Sequence, residues 1–184
     1  SKRSTSAAMP RLFFALWPDG QTRDAIDAQR AAIAHDYAGR ATRPDTLHLT
    51  LLFLGNIPDL EVPTLLACGD RIRAGSFTIT LDARCHFEAA KVAWLGATDP
   101  PPALDALHRA LRDEVMAAGF GGVDDGFASP FAPHVTIARH CTLFPQPRAV
   151  APITWLAQDF VLIDSRSTPG GPVYRVLRHW PLQS

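Results

Sequence analysis

A short pattern that occurs twice constrains this chain more than any other feature of its sequence. Residues 47–51 read LHLTL and residues 133–137 read PHVTI, so His-aliphatic-Thr-aliphatic appears once in each half. Both copies lie in apolar or β-branched runs of the kind that form strands. The repetition is what a chain of two similar lobes would show, and it predicts that both strands serve the same purpose.

The spacing within each copy determines where its polar side chains point. Side chains alternate along a strand, so a His and a Thr two residues apart lie on one face, with Cα atoms ~6.6 Å apart. If the two strands meet, both pairs line one cleft: His48 with Thr50, and His134 with Thr136. Two imidazoles can then serve as general acid and general base at a phosphorus atom, while the hydroxyls bind its oxygens. An imidazolium supplies positive charge, so we expect neither a metal ion nor a cofactor.

The rest of the chain mixes helix-like and strand-like segments without a strict β-α-β order. Apolar spacing predicts helices at residues 19–37 and 58–74, and a third between DPPPA (99–103) and the glycines of AAGFGG. The strand-like segments are 11–18, 47–55, 77–83, 91–97, 134–141 and a hairpin within 153–182, with its turn at 168–172. This order predicts an α+β fold with a mainly antiparallel sheet.

Composition limits the partners and the compartment. Lys plus Arg equals Asp plus Glu at 18 each, so phosphate recognition must be local and no global field favours long nucleic acid. No apolar run approaches the ~20 residues of a membrane span. Residues 1–10 (SKRSTSAAMP) lack the apolar core of a secretory signal, and we expect a disordered tail there. Cys68, Cys85 and Cys141 form no C-x-x-C pair, which favours free thiols in a cytoplasmic protein.

The two motifs and the segments around them resemble a known superfamily. Paired H-x-T motifs, with RLFFAL (11–16) in front and HLTLLFLG (48–55) after it, are similar to those of the 2H phosphoesterases. Within that superfamily, the RNA 2′,3′-cyclic phosphodiesterases, historically called 2′-5′ RNA ligases, are most similar, over about residues 11–182. The resemblance implies one bilobal domain (11–184), in which two pseudo-symmetric, mainly antiparallel sheets face a central cleft and helices pack outside.

The resemblance also implies an activity and a set of site residues. The activity is metal-independent opening of a 2′,3′-cyclic phosphate to a 2′-phosphate, on RNA ends or small nucleotides, and we expect a monomer. Each motif supplies one acid–base histidine and one phosphate-binding threonine: His48 with Thr50, and His134 with Thr136. We expect His48 to protonate the departing O3′ and His134 to activate water.

One further residue stands five positions after each histidine: Phe53 after His48, and Arg139 after His134. By the same resemblance Phe53 and Arg139 are an aromatic residue and a cation that contact the nucleobase or a phosphate. An offset of five places both on the strand face opposite the histidines, unless a β-bulge re-aims them. Without a bulge, Phe53 would be a core residue and Arg139 a surface charge.

Other interpretations of these residues stay open. The same site could join RNA ends as a 2′-5′ ligase, and a nucleotide-binding module could use the cleft without chemistry. A structural domain with two core histidines is a further alternative. The remaining histidines lack a partner threonine and metal-ligand spacing, and we interpret them as surface or core residues: His35, His86, His108, His140 and His179. Tyr174 and Arg175, in the closing hairpin, could reach a substrate.

Overall fold

The structure is a computed structural model, and it describes residues 10–121 and 130–184. The helices are α1 (Gly20–Asp36), α2 (Val62–Asp70) and α3 (Pro102–Ala117), with 3-10 turns at Pro44–Thr46 and Asp59–Glu61. The strands are β1 (Arg11–Leu16), β2 (Arg40–Ala41), β3 (Leu49–Asn56), β4 (Phe77–Phe87), β5 (Val92–Gly96), β6 (Val135–Arg139), β7 (Arg148–Ala157), β8 (Asp159–Thr168) and β9 (Gly171–Pro181). None of these helices is long and apolar enough to cross a membrane.

The strands form one antiparallel sheet in the order β7-β4-β5-β6-β3-β1-β8-β9, and β2 pairs with β6. Two four-stranded halves meet in its middle, where Leu49 of β3 pairs with Val135 of β6. The halves correspond strand for strand about this junction, β6 with β3, β5 with β1, β4 with β8 and β7 with β9. The predicted α+β class with mainly antiparallel pairing is confirmed, and the two predicted lobes are halves of a continuous sheet.

The two halves are interleaved along the chain. The N-terminal strand β1 pairs on one side with β3 and on the other with β8, near the C-terminus. Helix α1 leads into β3 but packs on β6 and β7, whereas α3 leads into β6 and packs on β3. Each helix therefore buries its apolar stripe against the half that holds the other motif, which ties the two motif strands together.

Most predicted elements are present, and two of them differ substantially in their limits. The apolar stripe predicted for α3 is buried in the core: Leu104, Leu107, Leu111 and Val115. The predicted helix over 58–74 is reduced to α2, because Pro63 fits only the first turn of a helix. The hairpin predicted within 153–182 consists of β8 and β9, whereas Ile153 belongs to β7 and pairs with Leu81 of β4. Sheet pairing with a distant strand, which sequence spacing does not show, decides that assignment.

The predicted tail and loop fall largely outside the described residues. Residues 1–9 of the tail are not among them, and Pro10 is buried, with its carbonyl accepting a hydrogen bond from the Ile57 N–H at 2.9 Å. Of the predicted loop before the second motif, residues 130–133 are described and residues 124–129 are not. The described part of the chain therefore starts at the residue that leads into β1.

Both motif strands carry a β-bulge three residues after the histidine. The residues on either side of Leu51 in β3 pair with consecutive residues of β1, which leaves Leu51 as the extra residue. In the same way β5 skips Ile137 of β6. A bulge places two residues opposite one and bends the strand. The side-chain alternation after each bulge is therefore offset by one position.

Candidate active site

Both motif histidines lie one residue before their strands. β3 begins at Leu49, two residues later than the sequence predicts, and β6 begins at Val135, one residue later. A 3-10 turn ends at Thr46 before the first histidine, and Pro133, which has no N–H for a sheet ladder, precedes the second. Each histidine is therefore held at the entrance of a strand rather than inside it.

The pairing of Leu49 with Val135 brings the two motifs together. In an antiparallel register, the residue before one partner lies opposite the residue after the other. Thus His48 lies across from Thr136, and Thr50 lies across from His134. The predicted meeting of the two H-x-T motifs at one place in the fold is therefore what the sheet register gives.

The two histidines have the same backbone anchor. Nδ1 of His48 donates to the carbonyl of Thr46 at 2.7 Å, and Nδ1 of His134 donates to the carbonyl of Ala132 at 2.8 Å. A carbonyl oxygen can only accept, so Nδ1 carries the proton in both rings. Nε2 is therefore the nitrogen that can exchange a proton. In His48 it lies 3.1 Å from Oγ1 of Thr50.

Aromatic rings surround both imidazoles. His48 packs against Phe13 (ring centroids 4.9 Å), Tyr174 (5.3 Å, edge-on) and Trp17 (6.2 Å, stacked). The ring of His134 meets Phe87 edge-on at 4.9 Å and Trp94 at 6.1 Å. These contacts fix the ring orientations and remove water from one side of each imidazole.

The bulges bring the predicted accessory residues to the cleft. Phe53 follows the bulge at Leu51, pairs with Phe13 of β1, and lines a hollow together with His48 and Thr50. Arg139 follows the bulge at Ile137. It lines the surface on both sides of His48. The alternation that would have turned both side chains away is therefore broken in each strand at the same position relative to the histidine.

Two hollows meet beside His48. The hairpin hollow, about 130 Å³, lies between Arg40, Arg43 and the β8–β9 turn at residues 170–172. The β1 hollow, about 330 Å³, is larger and lies along β1 and β8. Both share His48, Arg139, Pro172 and Tyr174, whereas His134 lines neither. No carboxylate among the described residues lines either hollow, so the local field is positive although the chain has no net charge.

Burial and positive neighbours keep both imidazoles neutral in the free protein. The pKa of His48 is lowered to about 4, chiefly by burial and also by the nearby Arg139 and His134, against the opposing effect of the Thr46 carbonyl. Burial also lowers the pKa of His134, with a smaller contribution from Arg139. An anion placed between the rings would favour their protonated forms and raise both pKa values.

Several residues near this site were not predicted from the sequence. Trp17, Arg40 and Arg43 carry no motif, and only their position in the fold places them beside His48. His140, which we interpreted as unrelated to the site, lines the hairpin hollow. Among the described residues, no group of three or more His, Cys, Asp or Glu side chains is arranged to hold a metal ion.

Tyr174 and Arg175 separate as strand alternation requires. Tyr174 faces His48 and lines both hollows, whereas Arg175 forms an ion pair with the buried Asp164 at 3.4 Å. Neighbouring residues of a strand point to opposite faces of the sheet. The expectation that both side chains could reach a substrate is therefore wrong for Arg175.

Comparison with known proteins gives one consistent result. The sequence model of the 2′-5′ RNA ligase superfamily matches residues 18–165, which include both motifs. The RNA 2′,3′-cyclic phosphodiesterase of Escherichia coli (strain K12) is 34% identical over 94% of this chain and 96% of its own length. That of Thermus thermophilus is 30% identical over 94% of this chain and 90% of its own length. The crystal structure of E. coli LigT complexed with 3′-AMP superposes with a TM-score of 0.85 at 31% identity, covering 96% of this chain and 99% of that one.

Proposed function

We propose that this chain, which belongs to the 2′-5′ RNA ligase superfamily, is a cyclic phosphodiesterase that opens a 2′,3′-cyclic phosphate to a 2′-phosphate on RNA ends or small nucleotides. One observation carries the proposal: the two H-x-T motifs meet at the pair of Leu49 and Val135, and both histidines are anchored through Nδ1. Relatives that carry the phosphodiesterase name align with nearly the whole chain.

In this mechanism the two histidines divide the proton transfers. His134 accepts a proton from the water molecule that attacks phosphorus, and the bond between phosphorus and O3′ breaks. His48 gives its proton to O3′, which leaves the phosphate on O2′. The fixed Nδ1 protons leave Nε2 of each ring to perform the transfer. After release, solvent returns a proton to His48 and removes one from His134.

The substrate itself adjusts the charge of the site. An acid catalyst must be protonated, yet burial keeps His48 neutral in the free protein. A bound phosphate anion attracts the imidazolium and raises the pKa of His48. The hydroxyls of Thr50 and Thr136 and the guanidinium of Arg139 bind the non-bridging oxygens, and Phe53 stacks on a base. Protonation of the acid is thus coupled to binding of the substrate.

Hydrolysis of 2′,3′-cyclic nucleotides in EDTA, with identification of the product, tests this function. We expect a 2′-phosphate and no 3′-phosphate, because O3′ is the leaving group. EDTA should not reduce the rate. A folded protein that binds nucleotides without turnover between pH 5 and 8 would instead support a binding module.

The superfamily name gives a reason to test ligation as well. If a 5′-hydroxyl replaces water as the nucleophile, the same two histidines join the ends and form a 2′-5′ bond. Incubation of paired RNA halves, one with a 2′,3′-cyclic phosphate and one with a 5′-hydroxyl, measures this reaction. Failure to join the two RNA halves, even at a high concentration of both, would leave only hydrolysis.

The setting of the protein is also part of the proposal. We place it in the cytoplasm, because Cys68, Cys85 and Cys141 are free thiols and such thiols are typical of reducing compartments. We also expect a monomer. We treat residues 11–184 as one domain, because β1 pairs with both β3 and β8. Gel filtration with light scattering would test the expected mass of a monomer.

A further inference from the structure

The β1 hollow extends the site away from both motifs. Arg11, the first residue of β1, pairs with Ser165 of β8, and both line the hollow with Ser167. Arg11 and Phe13 are two residues apart on one strand face, so their Cα atoms are ~6.6 Å apart. Phe13 is in contact with the ring of His48. The guanidinium thus lies one strand repeat beyond the ring that touches a motif histidine.

Arg11 is held in place without a carboxylate. Its guanidinium carbon lies 4.9 Å from the centre of the Phe53 ring, which is a cation–π contact. Among the described residues, no acidic side chain forms an ion pair with Arg11. The nearby Asp164 points to the opposite face of β8 and pairs with Arg166 and Arg175. The N–H donors of Arg11 are therefore available to a ligand.

A guanidinium beside two hydroxyls, with no carboxylate in the hollow, is suited to an oxyanion. Arg139, at the junction of the two hollows, adds positive charge on the side of the motifs. A 2′,3′-cyclic mononucleotide has one phosphate, and in the proposed mechanism the two H-x-T motifs bind it. On an RNA end, the phosphodiester on the 5′ side of the terminal nucleoside supplies a second phosphate about one strand repeat away.

We infer that the β1 hollow binds the phosphodiester on the 5′ side of the terminal nucleoside, through Arg11, Ser165 and Ser167. This inference rests on the proposed phosphodiesterase function and adds a substrate class to it. The preferred substrate is single-stranded RNA with at least one internucleotide phosphate before its 2′,3′-cyclic end. Mononucleotides lack the group that this hollow binds.

The test compares two substrates in three proteins. The substrates are 2′,3′-cyclic AMP and the dinucleotide ApA with a 2′,3′-cyclic phosphate, and the proteins are the wild type, Arg11→Gln and Arg109→Gln. Arg109 lies on α3 and pairs with Asp105 at the surface, so its variant makes the same change of charge outside the hollow. We expect Arg11→Gln to lower kcat/KM about tenfold on the dinucleotide, through loss of a charge-assisted hydrogen bond, and to leave the mononucleotide unchanged.

The salt dependence gives a second readout. On the dinucleotide, Arg11→Gln should reduce the slope of log kcat/KM against log salt by about 0.7, as expected for one lost contact to a single-stranded phosphate. Arg109→Gln should change neither the slope nor the ratio of the two substrates. Equal effects of Arg11→Gln on both substrates, or a wild type without preference for the dinucleotide, would overturn the inference.

Failure of the proposed function would be distinguishable from failure of this inference. If the wild type hydrolyses neither substrate, the phosphodiesterase proposal fails. Binding of 3′-AMP and of the dinucleotide ApAp, measured by calorimetry, then tests the hollow alone. Tighter binding of ApAp that Arg11→Gln removes would support the subsite, and equal binding of both ligands would exclude it.

Discussion

Leu49 of β3 pairs with Val135 of β6, and each follows a motif histidine by one residue. This pair joins the two halves of the sheet, and the register around it places His48 opposite Thr136 and Thr50 opposite His134. The two motif histidines are therefore positioned by backbone hydrogen bonding rather than by flexible side chains. Strands hold such geometry better than loops do.

Loss of either motif histidine should reduce turnover strongly without unfolding the chain. We expect His48→Ala and His134→Ala each to reduce kcat about 10²- to 10⁴-fold, the usual contribution of one general acid or base. The double variant should be little worse than either single variant, because the two rings act as a unit. His35→Ala, at an exposed position on α1, is the matched control. Retained activity in both single variants would exclude the two-histidine mechanism.

Thr50 should contribute through its hydroxyl and not through its shape. Thr50→Val keeps the volume but removes the partner of His48 Nε2 at 3.1 Å, and with it the hydroxyl that we propose as a donor to the phosphate. We expect kcat/KM to fall about 10- to 100-fold, and Thr50→Ser to restore most of it. Thr154→Val, on an exposed position of β7, should have no effect. If Thr50→Val equals the wild type, the hydroxyl has no role in the reaction.

Phosphate should raise the pKa of His48. In the free protein, burial and the charge of Arg139 hold this pKa at about 4. An anion bound between the imidazoles stabilises the protonated ring, so its pKa should rise by at least one unit. NMR titration of the His48 Cε1–H signal, with and without inorganic phosphate, measures the change. Thr50→Val, with weaker phosphate binding, should show a smaller rise, and an unchanged midpoint would contradict the acid role of His48.

The free energy of unfolding should decrease as the pH is lowered through the range in which His48 is protonated in the unfolded chain but not in the folded chain. The pKa of His48 is about 4 in the folded protein and about 6.5 when exposed, so between these values the unfolded chain binds a proton that the folded chain does not. Stability therefore decreases as the pH falls from 6.5 to 4, by about 1–3 kcal/mol in total. The ion pair with Arg84 lowers the pKa of Asp36, so this carboxylate titrates below this range.

Urea unfolding at a series of pH values checks this expectation. His48→Gln removes the titrating group, so its stability should depend less on pH between 4 and 6.5 than that of the wild type. His35→Gln, at an exposed site, should follow the wild type. The same slope in all three proteins would show that His48 is not responsible for the loss of stability in acid.

The sequence was sufficient for features that depend on local pattern. The stripe of Leu104 to Val115 predicts α3, because helical periodicity is local and strong. The H-x-T spacing predicts that His48 and Thr50 act together, and their atoms lie within hydrogen-bonding distance. These predictions need only the geometry of one element.

Features that depend on pairing between distant strands could not be predicted. Nothing in the residues around Leu51 or Ile137 marks a bulge, because a bulge is a property of two strands and only the register with β1 or β5 reveals it. For the same reason the aromatic contact of His48 with Trp17 and Tyr174 was missed, since these residues are far apart in the chain. Alternation along β9 would have been enough to separate Tyr174 from Arg175.

A hydrogen bond from His108 supports the bulge at Leu51, and removal of this hydrogen bond should destabilise the protein. His108 of α3 is only 5% exposed, donates from Nδ1 to the Leu51 carbonyl at 2.7 Å, and stacks on Phe131 at 4.1 Å. His108→Leu removes this donor from a buried carbonyl, which should lower the free energy of unfolding by about 1–3 kcal/mol. Phe131 lies three residues before His134, so kcat/KM should also fall.

Urea unfolding and kcat/KM of His108→Leu, His108→Gln and His35→Leu measure both effects. The amide of His108→Gln can still donate to the carbonyl, so this variant should retain more stability than His108→Leu. His35→Leu places the same residue on exposed α1 and should cost little, because Leu is a good helix former. If His108→Leu unfolds at the same urea concentration as the wild type, the bulge does not need this hydrogen bond. A stable His108→Leu protein with lower kcat/KM would limit its role to positioning the segment before His134.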